Sequence, residues 1–290
     1  MSPRTKGILN LLLAAVFLSL SLTLIRFAGD LPSAQKLFFR NLVMAVGTFS
    51  VMKKERIPVR IEKQYAMQLL MRGVTGGLSM LCNFYAIDRL NLADSAMLNK
   101  IAPFFTVIFS WLLLGERARP SGVIALVIAF SGALFIIKPS GDRMEVIPAV
   151  IGALGGMLGG LSYTGVRAAS QAGAHQKMIV LSLSVISCCM AFPLMMKNFV
   201  PMTVQQLLCL LTCGLVSILG HFCNTRAYSI APAGEISVFD YSYVLFSAIY
   251  GFVLFGQIPD RLSVIGYFVI FGTGLWIFFD HRKNTETTMN

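Results

Sequence analysis

Acid is the scarcest kind of charge in this 290-residue chain, with thirteen Asp and Glu against twenty-four Lys and Arg, and charged residues are only 13% of the total. So little charge cannot coat a soluble fold, whose surface carries about 25–35% charged side chains. Histidine is nearly absent, and His175, His221 and His281 do not stand at ligand spacing with one another, which removes a zinc-hydrolase pattern. No clustered His, acidic pair or Ser/Cys–base arrangement of a membrane-embedded enzyme is present. The phosphate-cradling Gly-x-x-x-x-Gly-Lys loop is missing, so this chain does not hydrolyse ATP. Cysteines are few and all lie within apolar runs (Cys82, Cys188, Cys189, Cys209, Cys213, Cys223) without ligand spacing, as small hydrophobes do. No metal and no cofactor is expected.

What is present in excess is apolar surface, at 56% of residues. That is too much for one water-soluble core and places the chain among polytopic membrane proteins. Ten apolar runs are bounded by charge, Pro or turn residues: 7–24, 33–52, 67–87, 93–114, 121–137, 146–166, 178–196, 204–227, 234–255 and 262–279. Each is near the roughly 20 residues that cross a hydrocarbon core. None alternates as a barrel strand does, so the expectation is an all-α integral membrane protein of ten transmembrane helices in the lipid bilayer. The run after Lys6 resembles a signal sequence but has the length of a full span, and is read as a retained first helix.

The net charge of +11 would suggest nucleic acid in a soluble protein. Here the cations fall in short loops without interleaved aromatics, which argues for orientation in a membrane and no nucleic-acid partner. With both termini cytoplasmic, fourteen Lys and Arg lie on the cytoplasmic side and seven on the other; Arg40, Arg72 and Lys100 stay within or near the membrane. The bias favours that orientation.

One offset organises the whole chain. Asn83 and Asn224 are 141 residues apart, as are Gln35-Lys36 and Gln176-Lys177, and Leu20-Ser21-x-Thr23-x-x-Arg26 returns as Leu161-Ser162-x-Thr164-x-x-Arg167. Phe105, Ile108, Leu113 and Gly115 return as Phe246, Ile249, Leu254 and Gly256. An odd number of spans per copy reverses the orientation of the second, which predicts two inverted five-helix repeats. Their bounds are 1–137 and 146–279, with 138–145 a linker and 280–290 a cytoplasmic tail.

Two five-span halves whose fourth spans end in Leu112-Leu113-Leu114-Gly115-Glu116 and Leu254-Phe255-Gly256-Gln257, with Phe38-Phe39-Arg40-Asn41 in the second span, resemble the EamA family of the drug/metabolite transporter superfamily. The resemblance covers nearly the whole chain. It implies a secondary transporter in the cell membrane, with the fourth, first and third spans and their counterparts around a central cavity. The family's substrates range over amino acids, sugars, nucleotide derivatives and other metabolites, and its many exporters tilt the expectation to efflux. One departure is that Pro103 has Val244 as its counterpart.

Lys100 sits some seven residues into its run, roughly 10 Å below the boundary. A charge at the centre of a helix costs about 2.5–3.5 kcal/mol on insertion scales, so it should face water, substrate or a carboxylate. Asp240 lies at the corresponding depth of the ninth run, entered from the other face. It is read as a partner of Lys100, a contact for a cationic substrate group, or the site of a coupling proton. A Lys100–Asp240 pair that opens on binding a zwitterion joins two of these roles. Around them the sequence offers Asn83, Tyr85 and Asn99 from the first half and Tyr163, His221, Asn224, Tyr228, Tyr241 and Tyr243 from the second, aromatics suited to hold ring or ammonium groups. Arg40, Pro103 and Trp111 are candidates for gating or hinging, Pro103 because it would kink its helix. Gly152, Gly156 and Gly160 form a small-residue stripe for close helix packing. The function this favours is carriage of a small, amino-acid-like metabolite; a membrane enzyme or a non-transporting sensor or scaffold is the alternative.

Overall fold

The computed structural model describes residues 2–87, 89, 98–137, 146–256 and 258–287, and among them every regular element is a helix. Six helices are long and apolar enough to cross a membrane: Pro3–Phe27, Val146–Gln171, Gln176–Lys197, Val204–Ile230, Ala233–Phe255 and Arg261–Phe279. Two shorter apolar helices span Ala102–Leu114 and Pro120–Ile136. The expected uniformity of ten runs is therefore not what the structure has. Ser33–Lys54 and Lys63–Ile87 have the length of spans but carry cations along them.

We label the helices α1 (Pro3–Phe27), α2 (Ser33–Lys54), α3 (Lys63–Ile87), α4 (Ala102–Leu114), α5 (Pro120–Ile137), α6 (Val146–Gln171), α7 (Gln176–Lys197) and α8 (Val204–Ile230). A one-turn α9 (Ala233–Ile236) runs through a 3-10 segment (Ser237–Tyr241) into α10 (Ser242–Phe255), and α11 is Arg261–Thr287. Two of the long helices are capped locally: Ser2 accepts from the Thr5 amide at α1, and Thr203 and Gln206 form a reciprocal capping box at α8.

The packing partners follow the repeat. α3 lies along α6 and α1 along α8, while α2 packs on α7 and α5 on α11. Moving each partner by the repeat offset converts the first pair into the second and returns the last two to themselves. The repeated serines make the same contact twice. Ser162 Oγ accepts from Arg72 Nη1 at 2.7 Å and donates to the Arg72 carbonyl at 2.9 Å, whereas Ser21 Oγ meets Cys213 Sγ at 3.1 Å. Arg72 and Cys213 are themselves matched positions, so one half carries a cation where the other carries a thiol.

The small-residue stripe on α6 packs against the start of α4. A Cβ on Gly156 would stand 2.4 Å from the Leu98 carbonyl, and one on Gly160 would stand 2.7 Å from the Thr106 amide nitrogen. Side chains there would hold the helices apart.

Both fourth runs are broken. Leu98 and Asn99 are helical, Lys100 and Ile101 form a turn, and α4 begins only at Ala102. Its counterpart breaks at the 3-10 segment between α9 and α10. Pro103 therefore stands in the first turn of a helix, where its missing N–H leaves nothing unpaired, and is not a kink inside a continuous one. The second half breaks at the same depth without a proline. The two copies also end alike, on Gly115 (φ 69°) and Gly256 (φ 64°), a left-handed cap that favours glycine.

Candidate substrate site

The two breaks meet. The Tyr241 hydroxyl donates to the Lys100 carbonyl at 2.9 Å, across 141 residues, so the contact joins the two equivalent positions of the repeat. A turn that ends one helix and starts another leaves carbonyls without helical partners, and this bond satisfies one of them. Tyr241 is fully buried and packs against Phe130 of α5.

Lys100 is 9% exposed and directs its ammonium over the Tyr243 ring, 4.1 Å from the centroid. Asp240 is within its electrostatic reach, but no ion-pair contact joins the two among the described residues. The aromatic face holds the cation in place of a carboxylate. Tyr163 and Tyr228 stack at 5.1 Å with an 11° interplanar angle, and both feel Asp240. Asp240 thus faces a wall made of Tyr163, Tyr228, Tyr241 and Lys100.

Arg72 closes the far side of that wall, its guanidinium 5.4 Å from the Tyr163 centroid. It is 2% exposed. Arg40 reaches in from α2, with the Met80 thioether as its one acceptor at 3.0 Å. His221 on α8 lies within the field of both arginines. Asn224, one turn further along the same face, is fully buried. Arg40 Nε, Arg72 Nε, His221 Nδ1 and both amide atoms of Asn224 have no hydrogen-bond partner among the described residues. Unpaired buried polar atoms are costly, so a cluster of them marks a place built to meet something polar.

Of the residues singled out from sequence, the structure brings together Lys100, Asp240, Tyr241, Tyr243, Tyr163, His221, Asn224 and Arg40. It does not bring in the others. Tyr85 stacks under Arg89, 3.8 Å from its guanidinium, near the end of α3 and about 20 Å along that helix from Arg72. Asn83 lies in the α3–α6 interface, against Gly155. Asn99 is exposed, and Trp111, 53% exposed beside Leu112 and Leu113, sits on the outer face of α4. The sequence reading passed over Arg72. Its signal was present, a cation within or near the membrane like Arg40 and Lys100, but it was given no role in the site.

The broken helices, the polar centre and the apolar exterior define a multi-pass membrane protein with a buried polar cluster. The chain belongs to the EamA-like transporter family, whose profile matches it twice, over residues 5–138 and 150–279. It is 34% identical over 263 residues to the pseudopaline exporter of Pseudomonas aeruginosa, covering 90% of this chain and 91% of that one. It is 23% identical to the riboflavin transporter of Brucella anthropi, over 89% and 92% of the two chains. A solved crystal structure superposes with a TM-score of 0.82 at 14% identity, covering 93% of this chain and 95% of the other, which is a likeness of fold. The membrane it occupies is the cell membrane, and its cargo is a small molecule.

Proposed function

We propose that this chain is a secondary transporter carrying a small polar metabolite, amino-acid-like in bearing both signs of charge, through a midplane site by alternating access. The moving parts are the two inverted five-helix halves, residues 1–137 and 146–279 joined by 138–145, with both termini and the 280–290 tail cytoplasmic. The observation that carries the reading is the contact between the two helix breaks, Tyr241 on Lys100, with the Asp240 carboxylate within electrostatic reach of the Lys100 ammonium. Discontinuous helices meeting at the centre of an inverted repeat are a recurrent way to bind a solute and expose it to either side. The doubled family match and the exchange of packing partners support the two-half architecture.

Export is the favoured direction, in keeping with the exporter that this chain most resembles among the relatives above. Asp240 is the candidate for taking up a coupling proton, being the carboxylate within electrostatic reach of Lys100 and of the cluster's tyrosines. The test is flux in proteoliposomes by Lys100→Ala, Asp240→Ala and the Lys100/Asp240 charge swap. Each single substitution should reduce transport at least about tenfold, since each leaves a buried charge uncompensated. Wild-type flux in both single variants would overturn the assignment of these residues.

A further inference from the structure

The charges around the central space do not balance. Three cations from three elements border the cluster: Lys100, from the break before α4, lies over Tyr243, Arg72 of α3 lies against Tyr163, and Arg40 of α2 acts electrostatically on Tyr243 and His221. Their electrostatic neighbours among the described residues are Cys188, Cys213 and Tyr243 for Arg40, Tyr163 and Tyr228 for Arg72, and Asp240 for Lys100. Asp240 is therefore the single carboxylate among these described neighbours. His221 between the arginines adds no anion.

Neither arginine is satisfied as a buried guanidinium normally is. Five N–H donors in a planar fork suit a carboxylate taken bidentately. Arg72 instead has one serine hydroxyl and Arg40 one thioether, and Nε of each is buried without a partner. An isolated buried cation is expensive, and two of them with no carboxylate among their described neighbours call for anions from a ligand. A simple zwitterion would leave this excess untouched, because it brings one charge of each sign.

Resting on the carrier reading above, we infer that the substrate class of this site is the amino polycarboxylates: molecules with one protonated amine and two or three carboxylates, net negative. Asp240, with Tyr163, Tyr228 and Tyr241 beside it, takes the ammonium. Lys100 takes one carboxylate, and the Arg40–His221–Arg72 arc takes the remainder. Arg40 and Arg72 are then the residues that set specificity, selecting for net negative charge over the neutral amino acid. The orphaned atoms Arg40 Nε, Arg72 Nε and His221 Nδ1 all belong to that arc.

The experiment uses the purified full chain in detergent, with ligand-induced thermal stabilisation and titrated affinity as readouts. The probes are alanine, glutamate, glutarate and N-(carboxymethyl)glutamate. Affinity should rise in the order alanine, glutamate, N-(carboxymethyl)glutamate. Arg72→Gln and Arg40→Gln should each weaken the tricarboxylate by about tenfold or more, the loss of a charge-assisted bidentate contact, and so compress its advantage over alanine. Arg72→Lys and Arg40→Lys, which keep the charge and lose the fork, should fall between. Asp240→Asn should erase the preference for glutamate over glutarate. The affinity ratio between probes is read within each variant, so a general loss of stability does not imitate the result.

Equal or tighter binding of alanine, no binding of either amino polycarboxylate by the wild type, or an unchanged probe ratio in both Arg→Gln variants overturns the inference. Proteoliposome flux separates this from the carrier reading. Binding of N-(carboxymethyl)glutamate without flux would keep the substrate class and remove the carrier. Flux of alanine with no polycarboxylate binding would do the reverse.

Discussion

At the scale of single residues, the site depends on side chains that satisfy what a broken helix leaves open. Tyr241 is the clearest. Its hydroxyl is buried and pairs with the Lys100 carbonyl, so Tyr241→Phe leaves that carbonyl without its donor while preserving the ring. The expected loss is about 1–3 kcal/mol, the usual penalty for an unpaired buried polar group. It is read as a lower melting temperature of the purified protein, with a weaker substrate response because Lys100 is no longer fixed; an unchanged melting temperature would mean that the bond holds nothing. Lys100, Asp240 and the tyrosines were legible in the sequence because ionisable and hydroxylated side chains are conspicuous in apolar runs. Arg72 was equally visible within or near the membrane but was given no role, and only its contacts with Ser162 and Tyr163 set it beside the tyrosine cluster.

At the scale of elements, α4 is positioned by what α6 lacks. Gly160 lies against the α4 backbone, with Phe105, Thr106 and Ala102 all within 3 Å of where a Cβ would stand. Gly160→Val must push α4, and Lys100 with it, away from α6. Overpacking of this kind costs about 1–3 kcal/mol. The expected outcome is a destabilised protein whose transport falls further than its stability does, measured by melting temperature against flux normalised to folded protein; flux that merely tracks folded yield would make the stripe a packing feature alone. The glycine spacing could be read from sequence, but its partner could not, because a stripe of small residues does not say which helix will approach it. The helix breaks were misread for a related reason. Proline marked a kink in the first copy and its replacement by Val244 left the two halves free to bend differently, whereas both copies break, the second at a 3-10 segment that propensity does not announce.

At the scale of the molecule, the repeated arginines Arg26 and Arg167 guard opposite ends, and they do so unequally. Arg167 forms an ion pair with Glu116 at 2.7 Å and also donates to the Ser229 carbonyl at 2.9 Å, while Gln171 bonds the same carboxylate, tying the ends of α4, α6 and α8 together. Arg4 reaches Glu235 and the Ile277 carbonyl at that same end, which brings the start of α1 beside α11. At the other end Arg26 lies 4.9 Å from the Phe255 ring centroid, with Phe27 stacked on the same ring. Gln257, the counterpart of Glu116, falls outside the described residues, as do Asp94 and the linker.

On the proposed alternating-access reading, the charged contact at one end and the aromatic contact at the other set which side stays closed. A partly buried pair of this kind is worth about 1 kcal/mol, so Glu116→Gln should shift the closed-to-open ratio about fivefold. The measurement is maleimide labelling of a cysteine introduced at the buried Ser237, in a background without the native cysteines. Labelling should become faster from the side where α1 begins, and an unaltered rate would remove the latch.

Length, apolar content and one constant offset were enough, by themselves, to determine an all-helical membrane protein in two related halves. Lipid leaves the backbone few alternatives, and repetition is a property of order along the chain. The identity of several ionisable residues at the centre was determined in the same way. What only the tertiary structure decided is which of them share a space, since Arg40, Arg72, Lys100 and Asp240 come from four elements whose rotation and depth depend on packing. The fate of each charge follows from its neighbours: Lys100 rests on an aromatic face, Glu116 pairs with Arg167, and Arg40 and Arg72 keep buried Nε donors without a partner among the described residues.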